Sequence, residues 1–285
     1  MTIAALESGS KINLYLRVTG RRADGCHNIE TLFLPLASPS DRVEVDFAAA
    51  PGLSLDCGAP ALSGSSNLAY RAAELYAQES GVAPAWRIRL EKRIPVAAGL
   101  GGGSADAAAV LTLLERRFGA VGAEDLKRLA LRLGADVPFF LHRVPMVGRG
   151  VGDELTELEA PLPKLYILLV NPGFPVSAKW AYQHLAAGAG ETATLERLLA
   201  ALSARDWPGV AANIRNDLAP ALWKKFPLLG LIRDELAELG ALETEVSGSG
   251  STLFALFPDG EALARAAETL RSGHGDEFKI FAAEC

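Results

Sequence analysis

Hydrophobic and polar positions alternate over residues 11–18. Ile12, Leu14, Leu16 and Val18 fall on one side, and Lys11, Asn13, Tyr15 and Arg17 on the other. A period of two predicts a strand with one buried face. Further strands are predicted over 29–35 and 42–47, with a short one near 53–56 inside the Gly-, Pro- and Ser-rich stretch 48–66. From Asn67 the period lengthens, with Leu68, Ala72 and Leu75 on one side of a helix that ends near Gly81. Alternation returns at Trp86, Ile88 and Leu90, and helical spacing at Ala107, Val110, Leu111 and Leu114. Residues 123–133 read as another helix, with Glu124 and Asp125 in its first turn and Gly134 closing it. Residues 146–155, with three glycines, read as a turn-rich connection, and the charged, proline-rich 153–163 as a domain junction. Beyond it come a buried strand at 165–170 and helices at 177–186, 194–202 and 219–239. Two strands at 241–246 and 252–257, a helix at 261–270 and a strand at 277–282 end the chain. That tail is a split βαβ arrangement. The class is α+β, with regions 1–158 and 159–285.

Between the strand at 86–91 and the helix after it lies Pro95-Val96-Ala97-Ala98-Gly99-Leu100-Gly101-Gly102-Gly103-Ser104. Each glycine costs roughly 0.5–1 kcal/mol in a regular interior, so four in five residues mark a loop. Strand, glycine loop and helix in that order leave bare N–H groups at the positive end of the helix dipole, a place to hold phosphate. Ser104 or Asp106 is available to cap the first turn. A tight turn alone is the plainer alternative. Neither common phosphate loop matches, because Ser104 follows Gly103 where one motif requires lysine and the other glycine or alanine. A second small-residue loop is Ser247-Gly248-Ser249-Gly250-Ser251. Asp136 precedes an apolar run stiffened by Pro138; such a carboxylate suits general-base chemistry or simply ends a turn. His27 lies in a loop between two strands, where recognition residues and ordinary surface residues both occur.

Bulk numbers narrow the choice. With 285 residues, 49% of them hydrophobic, the chain can bury its own core. A net charge of −6 and no basic patch argue against nucleic acid as a partner. No apolar run approaches ~18 residues, so no membrane partner is expected. Three cysteines without a C-x-x-C pair fit a reducing, cytoplasmic setting and no structural zinc.

Lys11-Ile12-Asn13-Leu14, Gly99-Leu100-Gly101-Gly102-Gly103-Ser104 and Ser247-Gly248-Ser249-Gly250-Ser251, in this order and spacing, resemble the three motifs of the GHMP kinases. The segments 21–27, 134–140 and 148–152, with Asn216-Asp217-Leu218, narrow the resemblance to members that phosphorylate a diphosphocytidyl-bearing polyol. The resemblance implies a ribosomal protein S5-like N-terminal domain, a ferredoxin-like C-terminal domain and an active site in the cleft between them. It implies Asp136 as general base with Lys11 beside it. Residues 95–104 would bind ATP, with Asn67 near the adenine, and Gly248, Ser249 and Gly250 would form the third glycine motif. Asn13 and His27 would meet the cytidylated substrate. Cys26 stands where this branch usually carries a tyrosine that stacks on cytosine, and Trp180 is expected on the other face. ATP and Mg²⁺ are implied, with Ser104 the side chain nearest the ion, in a monomer or weak homodimer. A homoserine kinase-like enzyme and a catalytically silent sensor on the same fold are the alternatives.

Overall fold

A computed structural model describes residues 2–185 and 193–285. The helix expected over 177–186 is observed over Ala178–Gln183, and the last residue of that expectation, 186, lies outside the described residues. The chain forms two compact units, both discontinuous in sequence. One comprises residues 1–10, 39–94 and 101–143, the other 11–38, 95–100 and 144–285. The expected boundary at 158 lies within the second.

Two long strands, β1 (Ile3–Arg21) and β2 (His27–Asp46), each contribute to both units. In the first unit, β3 (Gly52–Asp56) runs parallel to β4 (Ala85–Glu91), and β4 pairs antiparallel with residues 42–46 of β2. Helix α1 (Leu68–Ser80) starts where Asn67 Oδ1 accepts from the Ala69 N–H at 2.9 Å and stops at left-handed Gly81. Helix α2 (Gly102–Phe118) packs on α1, α3 (Ala123–Leu133) and α4 (Val137–His142). Trp86, Tyr76 and Phe118 form the aromatic part of this core, with Trp86 and Tyr76 fully buried.

In the second unit, residues 31–33 of β2 pair with β5 (Met146–Arg149), which forms a hairpin with β6 (Glu154–Glu157). Pro35 and Pro39 lie inside β2, between its pairing with β5 and its pairing with β4, and β2 runs on as one strand where two were expected. The hairpin replaces the expected turn-rich loop. Gly148 sits within its first strand because a Cβ there would meet the Phe33 ring at 2.7 Å.

β7 (Tyr166–Asn171) leads into α5 (Ala178–Gln183), α6 (Leu195–Ala204), α7 (Trp207–Asn213) and the two-residue β8 (Arg215–Asn216), which is parallel to β1. The predicted single helix over 219–239 is two, α8 (Ala219–Lys225) and α9 (Pro227–Glu238), because Pro227 supplies no N–H to continue the first. β9 (Glu243–Val246), β10 (Leu253–Phe257), α10 (Gly260–His274) and β11 (Lys279–Glu284) follow. The antiparallel sheet runs β11-β7-β10-β9, the strand order of the split βαβ expected for this region. Helices α5 to α9 connect its first two strands and α10 its last two.

Candidate active site

Lys11 and Asn13 sit on the polar side of β1, yet both are buried, at 4% and 2% exposure. Their burial rules out a solvated polar face. Lys11 Nζ donates to Asn13 Oδ1 at 2.6 Å and to the Gly99 carbonyl at 3.1 Å. Asn13 Nδ2 donates to Thr31 Oγ1 at 2.8 Å, and Thr31 donates in turn to the Tyr15 carbonyl at 2.6 Å. This chain of donors fixes which end of the Asn13 amide faces the ammonium. Asn13 thus serves Lys11 directly.

Residues 95–100 are held by backbone bonds from several elements. Lys11 N–H donates to Leu100, Val176 to Ala97 and Thr252 to Ala98. Gly99 has φ 80°, and a Cβ on it would lie 2.0 Å from the Ser247 carbonyl oxygen. Its own carbonyl accepts from Ser247 Oγ at 3.0 Å as well as from Lys11. Gly248 packs on the first motif, less tightly: a Cβ there would stand 3.1 Å from Asn13 Oδ1 and 3.4 Å from Lys11 Nζ. The first motif, the start of the second and the third thus meet within one unit.

In the other unit, α2 begins at Gly102 with left-handed Gly101 as its N-cap and no side-chain cap bond. Ser104 and Asp106, offered by the sequence as caps, lie inside the helix instead. The first-turn N–H groups of Gly102, Gly103 and Ser104 therefore have no side-chain cap, as an anion site at a helix start requires. Asp106 turns inward. Its Oδ2 accepts from Lys92 Nζ at 2.6 Å, and Lys92 also donates to Asp41 Oδ2. Asp41 Oδ1 accepts from the N–H groups of Arg93 (2.6 Å) and Ile94 (2.8 Å). Burial pushes the Asp106 carboxyl up to about 6 against the opposing pull of Lys92. Asp136 occupies the N-cap position of α4 but makes no capping bond, so the helix start does not account for its side chain. Buried Val137, Pro138, Phe139 and Phe140 anchor the turn that carries it. Asn67 is committed to its helix: besides the Ala69 bond, its Nδ2 donates to the Leu62 carbonyl at 2.8 Å.

Asp24 shapes the loop between β1 and β2, accepting from the Cys26 N–H at 2.9 Å and from Arg22 Nε at 3.2 Å, with Gly25 at φ 86°. This turn delivers Cys26 and His27 to a cleft of about 440 Å³ that Arg21, Lys179, Tyr182 and Gln183 also line. The rings of His27 and Tyr182 stack, centroids 5.2 Å apart and planes 17° from parallel. Trp180 does not line the cleft. Its ring stacks on His184 at 4.4 Å and lies under Lys225 at 3.8 Å. Tyr182, which sequence reasoning passed over, lines the cleft beside His27. Both aromatics lie on one short helix, and only the side they face separates them.

The model for the GHMP kinases N terminal domain matches residues 67–143, and that for GHMP kinases C terminal matches 198–276. The chain belongs to the GHMP kinase family, whose members use ATP as phosphate donor; it is a kinase with the two-domain, mixed α+β fold of that family. A protein of Nitratidesulfovibrio vulgaris named 4-diphosphocytidyl-2-C-methyl-D-erythritol kinase is 39% identical over 273 residues, covering 95% of each chain. One of the same name from Syntrophotalea carbinolica is 40% identical over 96% of each. A crystal structure of 4-(cytidine 5'-diphospho)-2C-methyl-D-erythritol kinase superposes with a TM-score of 0.84 at 38% identity, over 99% of this chain and 98% of that one. Homoserine kinase from Cytophaga hutchinsonii shares the fold, with a TM-score of 0.79 at 19% identity over 99% and 95%.

Proposed function

We propose that this enzyme transfers the γ-phosphoryl group of ATP to the 2-hydroxyl of 4-diphosphocytidyl-2-C-methyl-D-erythritol, a step of the non-mevalonate route to isoprenoid precursors. The observation that carries the substrate choice is the cleft. Stacked His27 and Tyr182 give a flat aromatic platform for a pyrimidine, and Arg21 and Lys179 give cations for its phosphates. Near-full-length relatives with that activity in their names support it.

Phosphoryl transfer requires in-line placement and charge stabilisation more than covalent help. Asp136 takes the proton of the attacking hydroxyl. Lys11, held by Asn13 and Gly99, supplies positive charge for the developing alkoxide. The amides of residues 101–104 hold the ATP phosphates, with 95–100, Asn67 and the loop 248–250 completing the nucleotide site. Mg²⁺ would neutralise phosphate charge. No group of three or more His, Cys, Asp or Glu side chains among the described residues is arranged to hold a metal ion. The ion would take mostly phosphate and water ligands, with Ser104 near. The functional division is an ATP-binding region 1–158 and a region 159–285. The protein acts in the cytoplasm as a monomer or weak homodimer; no helix among the described residues is long and apolar enough to cross a membrane.

A coupled ADP-release assay over a panel of acceptors tests the reading. The cytidylated alcohol is expected to be the preferred acceptor, and preference for homoserine or mevalonate overturns it. Asp136→Asn is expected to lose ~10²–10⁴ in kcat while ATP still binds; full activity in that variant removes Asp136 from the mechanism.

A further inference from the structure

The third glycine loop packs against Lys11, and its serines bond outward, Ser247 Oγ to the Gly99 carbonyl and Ser251 Oγ to the Phe174 carbonyl. The carbonyls around Ser247 are held by Asn216, which is 4% exposed. Asn216 Nδ2 donates to the Val246 carbonyl and to the Gly248 carbonyl, each at 2.7 Å, and its Oδ1 accepts from the Leu218 N–H at 2.9 Å. Both amide hydrogens of one side chain thus hold the two carbonyls that flank Ser247. The backbone of Asn216 is fixed in turn, because β8 lies parallel to β1 with Leu16 opposite Asn216, and Asp217 N–H donates to Leu16 at 2.9 Å. Asp217 Oδ2 accepts from the Val18 N–H at 2.8 Å. The strand that carries Lys11 therefore also carries the brace for the loop that packs on Lys11.

We infer that Asn216 is a positioning residue for phosphoryl transfer. By holding 246–248 it keeps Ser247 Oγ on the Gly99 carbonyl, the same oxygen that accepts from Lys11 Nζ, and so sets where the ammonium points. The inference rests on the reading of Lys11 as part of the catalytic machinery. Aspartate at 216 has the same shape, lacks both donors and places an anion against two carbonyls; alanine leaves both carbonyls buried without a partner. Either change lets the loop shift by a fraction of an ångström to an ångström, and a displacement of that size costs on the order of 10²-fold in rate.

The test compares Asn216→Asp and Asn216→Ala with Leu236→Ala, a cavity variant in the core of the same unit and outside the site. Steady-state kinetics at 25 °C with ATP and the cytidylated alcohol are expected to show kcat lowered by ~10–100-fold in both Asn216 variants, with each KM within about threefold. Leu236→Ala, although its Tm falls, is expected to keep kcat. Hydrogen exchange of the ligand-free protein is expected to show faster exchange at the Gly250 amide, which bonds to the Ser247 carbonyl, in the Asn216 variants only. Unchanged exchange at Gly250, or a kcat loss no greater than that of Leu236→Ala, overturns the inference. If Lys11→Ala retains full activity, the reading of Lys11 fails instead, while the exchange data still decide whether Asn216 holds the loop.

Discussion

Two residues two positions apart on one short helix separate a cleft wall from packing. Tyr182 reaches the cleft and stacks on His27, whereas Trp180 is enclosed by His184 and Lys225. Stacking of a base on an aromatic ring is worth ~1–3 kcal/mol, which is about a 5- to 150-fold change in affinity. Tyr182→Ala and His27→Ala are expected to raise KM for the cytidylated substrate within that range and to leave KM for ATP unchanged. Trp180→Ala is expected to change both by less than about twofold. Equal effects of Tyr182→Ala on both substrates would mean that the ring does not read the base. The sequence singled out His27 and Cys26 but chose the larger aromatic over the nearer one, because spacing on a six-residue helix does not reveal which side faces a loop 150 residues away.

At the scale of elements, the entry to and exit from the glycine run are tied by one ion cluster. Asp41 holds the backbone of Arg93 and Ile94, Asp106 projects from the second turn of α2, and Lys92 joins the two carboxylates. Lys92→Met leaves two buried acids without a counter-ion and is expected to destabilise the protein by about 3–5 kcal/mol in urea unfolding. The pH dependence has a definite sign. The folded-state pKa of Asp106, about 6, exceeds the ordinary aspartate value of 3.8, so the folded protein binds this proton more tightly than the unfolded chain does. The stability it contributes is complete below pH ~4 and is lost as pH rises through ~6. Asp106→Asn is expected to flatten the urea midpoint across that interval, and an unchanged slope would exclude Asp106 as its source. Nothing in the sequence announced this cluster, since its members are 51 and 14 residues apart in pairs and Asp106 reads alone as a helix cap. The alternating stretches of β1 and β4 and the capped helices α1 and α3 were legible, because their patterns are local. The β5–β6 hairpin was not: Gly148, Gly150 and Gly152 signal a loop, whereas Gly148 only makes room for Phe33.

Over the whole molecule, neither unit is a continuous piece of chain. The second takes Leu16 from β1 into its hydrophobic core, and β8 has β1 as its partner. A fragment of residues 159–285 lacks both and is expected to show no cooperative unfolding by circular dichroism, although the boundary at 158 looks natural in the sequence. A sharp thermal transition in that fragment would show that β1 is dispensable to it. The thiol inventory has a practical consequence at the same scale. Of three free cysteines, Cys57 and Cys285 are half-buried and Cys26 alone is exposed, on the wall of the cleft proposed to hold the nucleoside. A single environment-sensitive dye can therefore be attached there without engineering, to report ligand arrival by fluorescence. On the proposed reading of the cleft, a cytidine analogue carrying a mild electrophile would mark this enzyme covalently at Cys26.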